Sequence, residues 1–251
     1  MEEYNNFNQF NNYQNPAMMD EQRETFSQYV ASVFTTMFIG LLVTAGISWL
    51  IYRNIMSGGF FFRMLIQGGN VAVFAPIVLQ LVLTIVFMTG LRKFSLTTVS
   101  ILFYGYAALT GVSFSIIFLA YDIGTITLAF VYTAVMFGVC VFAGKVLKVD
   151  LSRFRNILFS ALIVLVLASV GAFFIPALRD SLFLTYAGIV LFAVYTTYDM
   201  QRLKHYYYAG DFEGTEMSRK YGIYGAFQLY LDFINLFLRI LQLLSRSSSK
   251  D

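Results

Sequence analysis

Seven long apolar runs dominate the sequence and leave few folds open to it. They cover about Val30–Tyr52, Val71–Leu91, Thr98–Ala120, Ile123–Gly144, Ile157–Ile175, Leu182–Tyr198 and Ile223–Leu244. A bilayer core about 30 Å thick is crossed by roughly 20 helical residues, because a helix rises about 1.5 Å per residue and satisfies its own backbone hydrogen bonds. The sixth run is the shortest and is expected to continue into Asp199, Met200 and Gln201. Only Tyr121 and Asp122 separate the third run from the fourth, which predicts a tight helical hairpin. The chain therefore reads as an all-α integral membrane protein with seven transmembrane helices.

Composition excludes several other classes. Hydrophobic residues make up 58% of the chain and charged residues 12%, against about 25% charged in soluble domains. The net charge of +3 is scattered, whereas nucleic-acid binding needs a clustered basic face. The single cysteine, Cys140, lies in an apolar run, and His205 is the only histidine. Neither a disulfide framework nor a Cys or His zinc site can be built from them, so no resident cofactor is expected. The first run lacks the basic start and small-residue cleavage site of a signal peptide and is expected to stay as a membrane helix.

Lysine and arginine accumulate on the cytoplasmic side of membrane proteins. Alternating the loops across the membrane puts eleven of them on the N-terminal face, including Arg92, Lys93, Lys145, Lys148, Arg202 and Lys204, and six on the other. The N-terminus is thus expected to be cytoplasmic. Residues 1–25 read as a disordered, Asn-rich cytoplasmic tail, with eight Asn or Gln in the first fifteen positions. Residues 26–244 form the seven-helix domain, and 245–251 a short polar tail.

The seventh run carries the most informative pattern. Gly225, Gln228, Asp232, Asn235, Arg239 and Gln242 are spaced alternately by three and four, which places them on one helical stripe. A carboxylate at the centre of a membrane helix costs about 2.5–3.5 kcal/mol on insertion scales, so the stripe should face protein or water. The seventh helix is accordingly expected to be surrounded by the other six. A purely structural polar seam is the plainer reading, but packing seams ordinarily use Ser, Thr or Asn. Gln228, Asn235 and Arg239 could then line a polar path.

Asp199 ends the sixth run on the same side as the start of the seventh. Asp232 lies nine residues beyond Ile223, or about 13 Å at 1.5 Å per residue. A meeting of the two carboxylates requires the sixth helix to dip or the seventh to begin further out. Two carboxylates in contact away from water cannot both ionise cheaply, so they would share a proton and respond to pH. Arg92, at the end of the second run, could offset one charge or simply anchor the helix. In the first run Thr36, Gly40, Thr44 and Ser48 recur every four residues, a ridge suited to close helix packing. Asp122 is expected to be solvated in its turn.

The block Leu229-Tyr230-Leu231-Asp232-Phe233-Ile234-Asn235-Leu236-Phe237 resembles the signature of the Bax inhibitor-1 family, also called the transmembrane Bax inhibitor motif family. Tyr198-Asp199-Met200-Gln201 is similar to its sixth-helix ending. Thr133 to Gly138, followed by Lys148-Val149-Asp150-Leu151-Ser152-Arg153, resembles its fourth helix and the following loop. The resemblance extends from about Phe26 to Leu244 and is nearest to the bacterial branch. It implies a central seventh helix wrapped by six others and a pH-sensitive calcium leak. Asp199 and Asp232 map to the family's proton-sensing pair, and Arg92 approximately to a second-helix arginine that latches it.

On this reading calcium ions pass a weak oxygen-lined site at Asp199 and Asp232 and protons regulate it, with no enzymatic step. The alternatives are a non-conducting regulatory scaffold and an intramembrane aspartyl protease. The protease reading is opposed by the absence of a Gly-x-Gly lead before Asp232 and of a downstream Pro-Ala-Leu sequence. A serine protease fares worse, since Gly111-Val112-Ser113-Phe114 lacks a second glycine and His205 sits beside Lys204. The expected location is a bacterial cytoplasmic membrane, or alternatively the endoplasmic reticulum or another internal membrane.

Overall fold

The computed structural model describes residues 16–172, 174–179, 181–213 and 215–248. Its long helices are α1 (Pro16–Met56), α2 (Phe60–Gly90), α3 (Leu96–Phe114), α4 (Ile123–Val146), α5 (Arg155–Gly171), α6 (Leu182–Glu213) and α7 (Thr215–Ser248). Single turns lie at Ile117–Ala120, Leu151–Phe154 and Pro176–Arg179. No strand occurs among the described residues.

Six of these helices are straight enough, long enough and apolar enough to cross a membrane. The seventh candidate, α2, is broken. Its arms Phe60–Gly69 and Phe74–Gly90 are bent by 96°, so the expected second span, Val71–Leu91, corresponds to the second arm. The break falls at Gly69, whose φ of 49° lies in the left-handed region that glycine adopts without a Cβ penalty. Pro76 stands in the first turn of the second arm, where the missing N–H has no intrahelical partner to lose. The described residues thus hold six candidate crossings, or seven when the bent pair is one span.

Other boundaries also move. The helix begins at Pro16, so residues 16–25 are helical although composition assigns them to an unstructured tail; the Asn-rich stretch 1–15 lies outside the described residues. At the other end α7 runs to Ser248, through most of the expected polar tail, and 249–251 lie outside the described residues. The third apolar run breaks after Phe114, where the Ser115 hydroxyl donates to the Val112 carbonyl at 2.7 Å. Asp122 closes the turn before α4. Its carboxylate accepts from the Thr125 backbone N–H at 2.8 Å and from the Thr125 hydroxyl. These bonds hold the carboxyl below the usual range, with the side-chain bond the larger cause.

Small residues set the closest helix approaches. A Cβ on Gly40 would stand 2.6 Å from the Phe103 ring, and one on Gly111 would stand 2.8 Å from the Thr44 carbonyl. Between these glycines, the Thr44 hydroxyl lies 2.9 Å from the Ala107 carbonyl and 2.7 Å from the Tyr230 hydroxyl, while Ser48 donates to the Gly111 carbonyl at 3.0 Å. The four-residue ridge of α1 is thus a packing seam against α3. Gly144 does the same for α4 on α6, where a Cβ would meet the Thr197 carbonyl at 2.6 Å and Met200 Cβ at 2.8 Å.

Burial is uneven. In α7, 56% of the membrane-crossing window is buried, against 11–44% in the other five straight spans. Ala226, Phe227, Leu229, Tyr230 and Leu236 of this helix are fully buried. Exposed leucines, valines and phenylalanines cover α2, α4 and α5, as expected of surfaces that meet lipid. Trp49, Tyr52 and Phe118 cluster with ring centroids 5.6–6.0 Å apart, at the bundle end opposite the basic loops.

Gly144→Val should overpack the α4–α6 contact and destabilise the protein by about 1–3 kcal/mol. Thermal unfolding in detergent measures this, with Gly138→Val, where a Cβ has open space, changing the midpoint far less.

Candidate functional site

The two aspartates come to one level because both flanking helices run further than the apolar runs suggest. Helix α6 continues to Glu213 and α7 starts at Thr215, eight residues before Ile223. Asp199 therefore lies fifteen residues before the connecting position and Asp232 eighteen after it. That is an axial offset of about 4.5 Å at 1.5 Å per residue, in place of the mismatch set by a start at Ile223. Helices α6 and α7 make the most extensive contact in the molecule.

Asp199 and Asp232 are both 5% exposed. Each lies within electrostatic reach of Arg202, and Asp232 feels the charge of Asp199. Asp199 Oδ1 accepts from Arg202 Nη1 at 3.4 Å. Oδ2 of Asp232 is buried with no hydrogen-bond partner among the described residues. Leaving a buried polar atom unpaired is expensive, more so for a charged group. Tyr195 lies within reach of both carboxylates, and Cys140 within reach of Asp232. Among the described residues no three His, Cys, Asp or Glu side chains are grouped to hold a metal. The pair supplies carboxylate oxygens alone, fewer than the six to eight ligands a resident calcium ion takes.

Arg202 is the residue that the sequence reading passed over. Its guanidinium sits 5.2 Å from the ring centres of both Tyr198 and Tyr206. The signal was present in the spacing: Tyr198, Arg202 and Tyr206 recur every four residues on one helical face, with Asp199 three before the arginine. Arg92 occupies the same end of the bundle and donates to the Tyr221 hydroxyl at 3.3 Å. The Tyr221 ring stacks on Tyr206, with centroids 5.8 Å apart and planes 2° apart. Arg92 is thus linked to Arg202 through two tyrosines, and the cation bonded to Asp199 is Arg202. A cleft of about 400 Å³, lined by Arg92, Lys93, Arg202, Tyr206, Tyr221 and Tyr224 among others, opens beside them.

The rest of the α7 stripe faces protein. Gly225 leaves no room for a β-carbon against Leu203. Gln228 accepts from the Tyr206 hydroxyl at 2.8 Å, and Asn235 donates to its own helix at the Leu231 carbonyl, also at 2.8 Å. Arg239 crosses over Gly188, where a Cβ would stand 2.8 Å from Nε, and donates to the Ser169 hydroxyl at 2.6 Å and to Gln242 at 3.5 Å. Gln228 and Arg239 are therefore tied to α6 and α5, and Asn235 to its own helix.

The fold and this buried polar group define a multi-pass, all-helical membrane protein. Residues 26–249 match the family model described as inhibitor of apoptosis-promoting Bax1. The inner membrane protein YbhL of Escherichia coli is 39% identical over 223 residues, covering 89% of this chain and 93% of the relative. Uncharacterized proteins of Deinococcus radiodurans and Rickettsia prowazekii are 34% and 33% identical, each over 88% of this chain and over 93% and 90% of the relative. The chain belongs to the Bax inhibitor family.

If Arg202 stabilises Asp199 directly, their substitutions should be non-additive. A double-mutant cycle of Asp199→Asn and Arg202→Gln, read by thermal unfolding, should give a coupling of about 1 kcal/mol or more. Asp199→Asn with Lys204→Gln should give a coupling near zero.

Proposed function

We propose that this chain is a passive, pH-sensitive calcium leak, in which Asp199 and Asp232 form a proton-sharing pair at the constriction and no chemical bond is made or broken. The observation that carries the reading is the unpartnered, buried Oδ2 of Asp232 beside a second buried carboxylate. An acid left so exposed to electrostatic penalty is best accommodated by a proton or by a passing cation. Calcium is the cargo: a hard cation that prefers oxygen ligands, held weakly because the site offers few of them.

Protonation removes the negative charge that attracts a cation, so flux falls as pH falls. Arg202 supplies the countercharge for Asp199, and Arg92 acts on it through the Tyr221–Tyr206 stack. In this reading α7 is the central post, surrounded by the other six helices, with Gln228, Asn235 and Arg239 along the path. The N-terminus faces the cytoplasm of a bacterium. Membership of the Bax inhibitor family and the name of the Escherichia coli relative support a membrane role.

The test is calcium flux into proteoliposomes across a pH series for the parent, Asp199→Asn and Asp232→Asn. The parent should lose flux several-fold on acidification, and Asp232→Asn should flatten that dependence. An unchanged pH profile in Asp232→Asn would reject the aspartate assignment. Absence of flux in the parent would reject the leak and favour a scaffold.

A further inference from the structure

The bundle end that carries the basic loops has a second cleft, on a different face of α6 from Arg202. It encloses about 600 Å³ where the start of α1, the end of α4 and the C-terminal part of α6 meet. This is within the range of about 300–1,000 Å³ that holds a small molecule. Lys145, Lys148, Lys204 and His205 line it, with Phe26, Leu147 and Met200 giving apolar walls. Among the described residues none of the three lysines makes a hydrogen bond or an ion pair. The one acid on the rim, Asp150, is already engaged, accepting from the Ser152 backbone N–H at 2.9 Å and lying within reach of Arg153 and His205.

The walls are held in place. Gln201 clamps the α4–α5 loop from both sides, donating to the Val149 carbonyl at 2.9 Å and accepting from the Leu151 N–H at 3.1 Å. Gly144 brings α4 against the α6 backbone. By length and composition the lining lies at the ends of the candidate spans: Val146 ends the α4 span, Leu151 begins the next and Tyr208 ends the α6 span. The cleft therefore sits where apolar chain gives way to headgroups. In the neighbouring cleft, by contrast, Arg202 is bound to Asp199 and Arg92 to Tyr221.

We propose that the Lys145–Lys148–Lys204 cleft binds the phosphate headgroup of an anionic phospholipid, its lysines taking the phosphate and its apolar walls the start of the acyl chains. Basic pockets between membrane helices recognise such headgroups through uncompensated cations at this depth. The proposal does not rest on the calcium reading.

The test uses the full chain in neutral detergent, with thermal unfolding followed as short-chain phosphatidylglycerol, short-chain phosphatidylcholine or pyrophosphate is titrated in. Phosphatidylglycerol should raise the midpoint and phosphatidylcholine should not. The combined Lys145→Gln, Lys148→Gln and Lys204→Gln variant should bind it at least about tenfold more weakly. Lys148→Gln alone should bind with intermediate strength. Lys93→Gln with Arg219→Gln, which removes two charges from the same end, should titrate like the parent. Parent-like titration of the triple variant would overturn the proposal, as would an equal loss in the Lys93 and Arg219 control. Pyrophosphate matching phosphatidylglycerol would assign the cleft to a soluble phosphate compound instead. Stronger binding after Glu2, Glu3, Asp20 and Glu21 are neutralised would assign it to the acidic N-terminal segment.

Discussion

Hydrocarbon gives a polar side chain nothing to bond to, and the arrangement of α6 and α7 follows from how this chain meets that condition. Along α7, Gln228 is satisfied by Tyr206, Asn235 by its own backbone and Arg239 by Ser169 and Gln242. The partners of Gln228 and Arg239 on α6 and α5 require a protein surface, and the helix with this polar stripe is also the one with the largest buried share. Asp232 is the exception, since Oδ2 is buried without a partner among the described residues.

The long contact between α6 and α7 depends on residues with little or no side chain. Gly225 admits Leu203, Gly188 admits the Arg239 side chain, and Gly144 lets α4 close on the same helix. On the opposite flank Gly40, Thr44, Ser48 and Gly111 draw α1 and α3 together, and Thr44 joins them to Tyr230 of α7. With no hydrophobic drive to join helices inside lipid, such close approach and shared hydrogen bonds hold the bundle. The aspartates inherit a rigid setting from these contacts. The clefts on either side of the C-terminal part of α6 sit where that packing ends and basic loop residues take over.

Much of this was legible beforehand, unevenly. The α1 ridge and the α7 stripe are periodic, and a period of three to four maps directly onto a helix face. The break in α2 was not legible, because Gly68 and Gly69 lie just before, and Pro76 inside, an apolar run whose hydropathy continues past them. The extension of α6 to Glu213 was also hidden: residues 199–213 are polar and aromatic, so hydropathy ends where the helix does not. Helix α1 likewise begins at Pro16, inside a stretch whose composition argues against order. Arg202 was passed over because a basic residue at the end of a membrane helix ordinarily reads as an anchor.

The sequence by itself determined that the chain is an all-helical membrane protein, which of its residues are too polar to face lipid, and to which family it belongs. The first two follow from composition and local period, which no partner can change, and the family from the Leu229–Phe237 block and the match over residues 26–249. Only the tertiary structure decided that Asp199 and Asp232 share a level, that Arg202 is the cation bonded to Asp199, and that three lysines without a bond among the described residues converge on one cleft. Those outcomes depend on where helices end and how closely they approach. Both are set by contacts between residues far apart in the chain, to which a local pattern carries no reference.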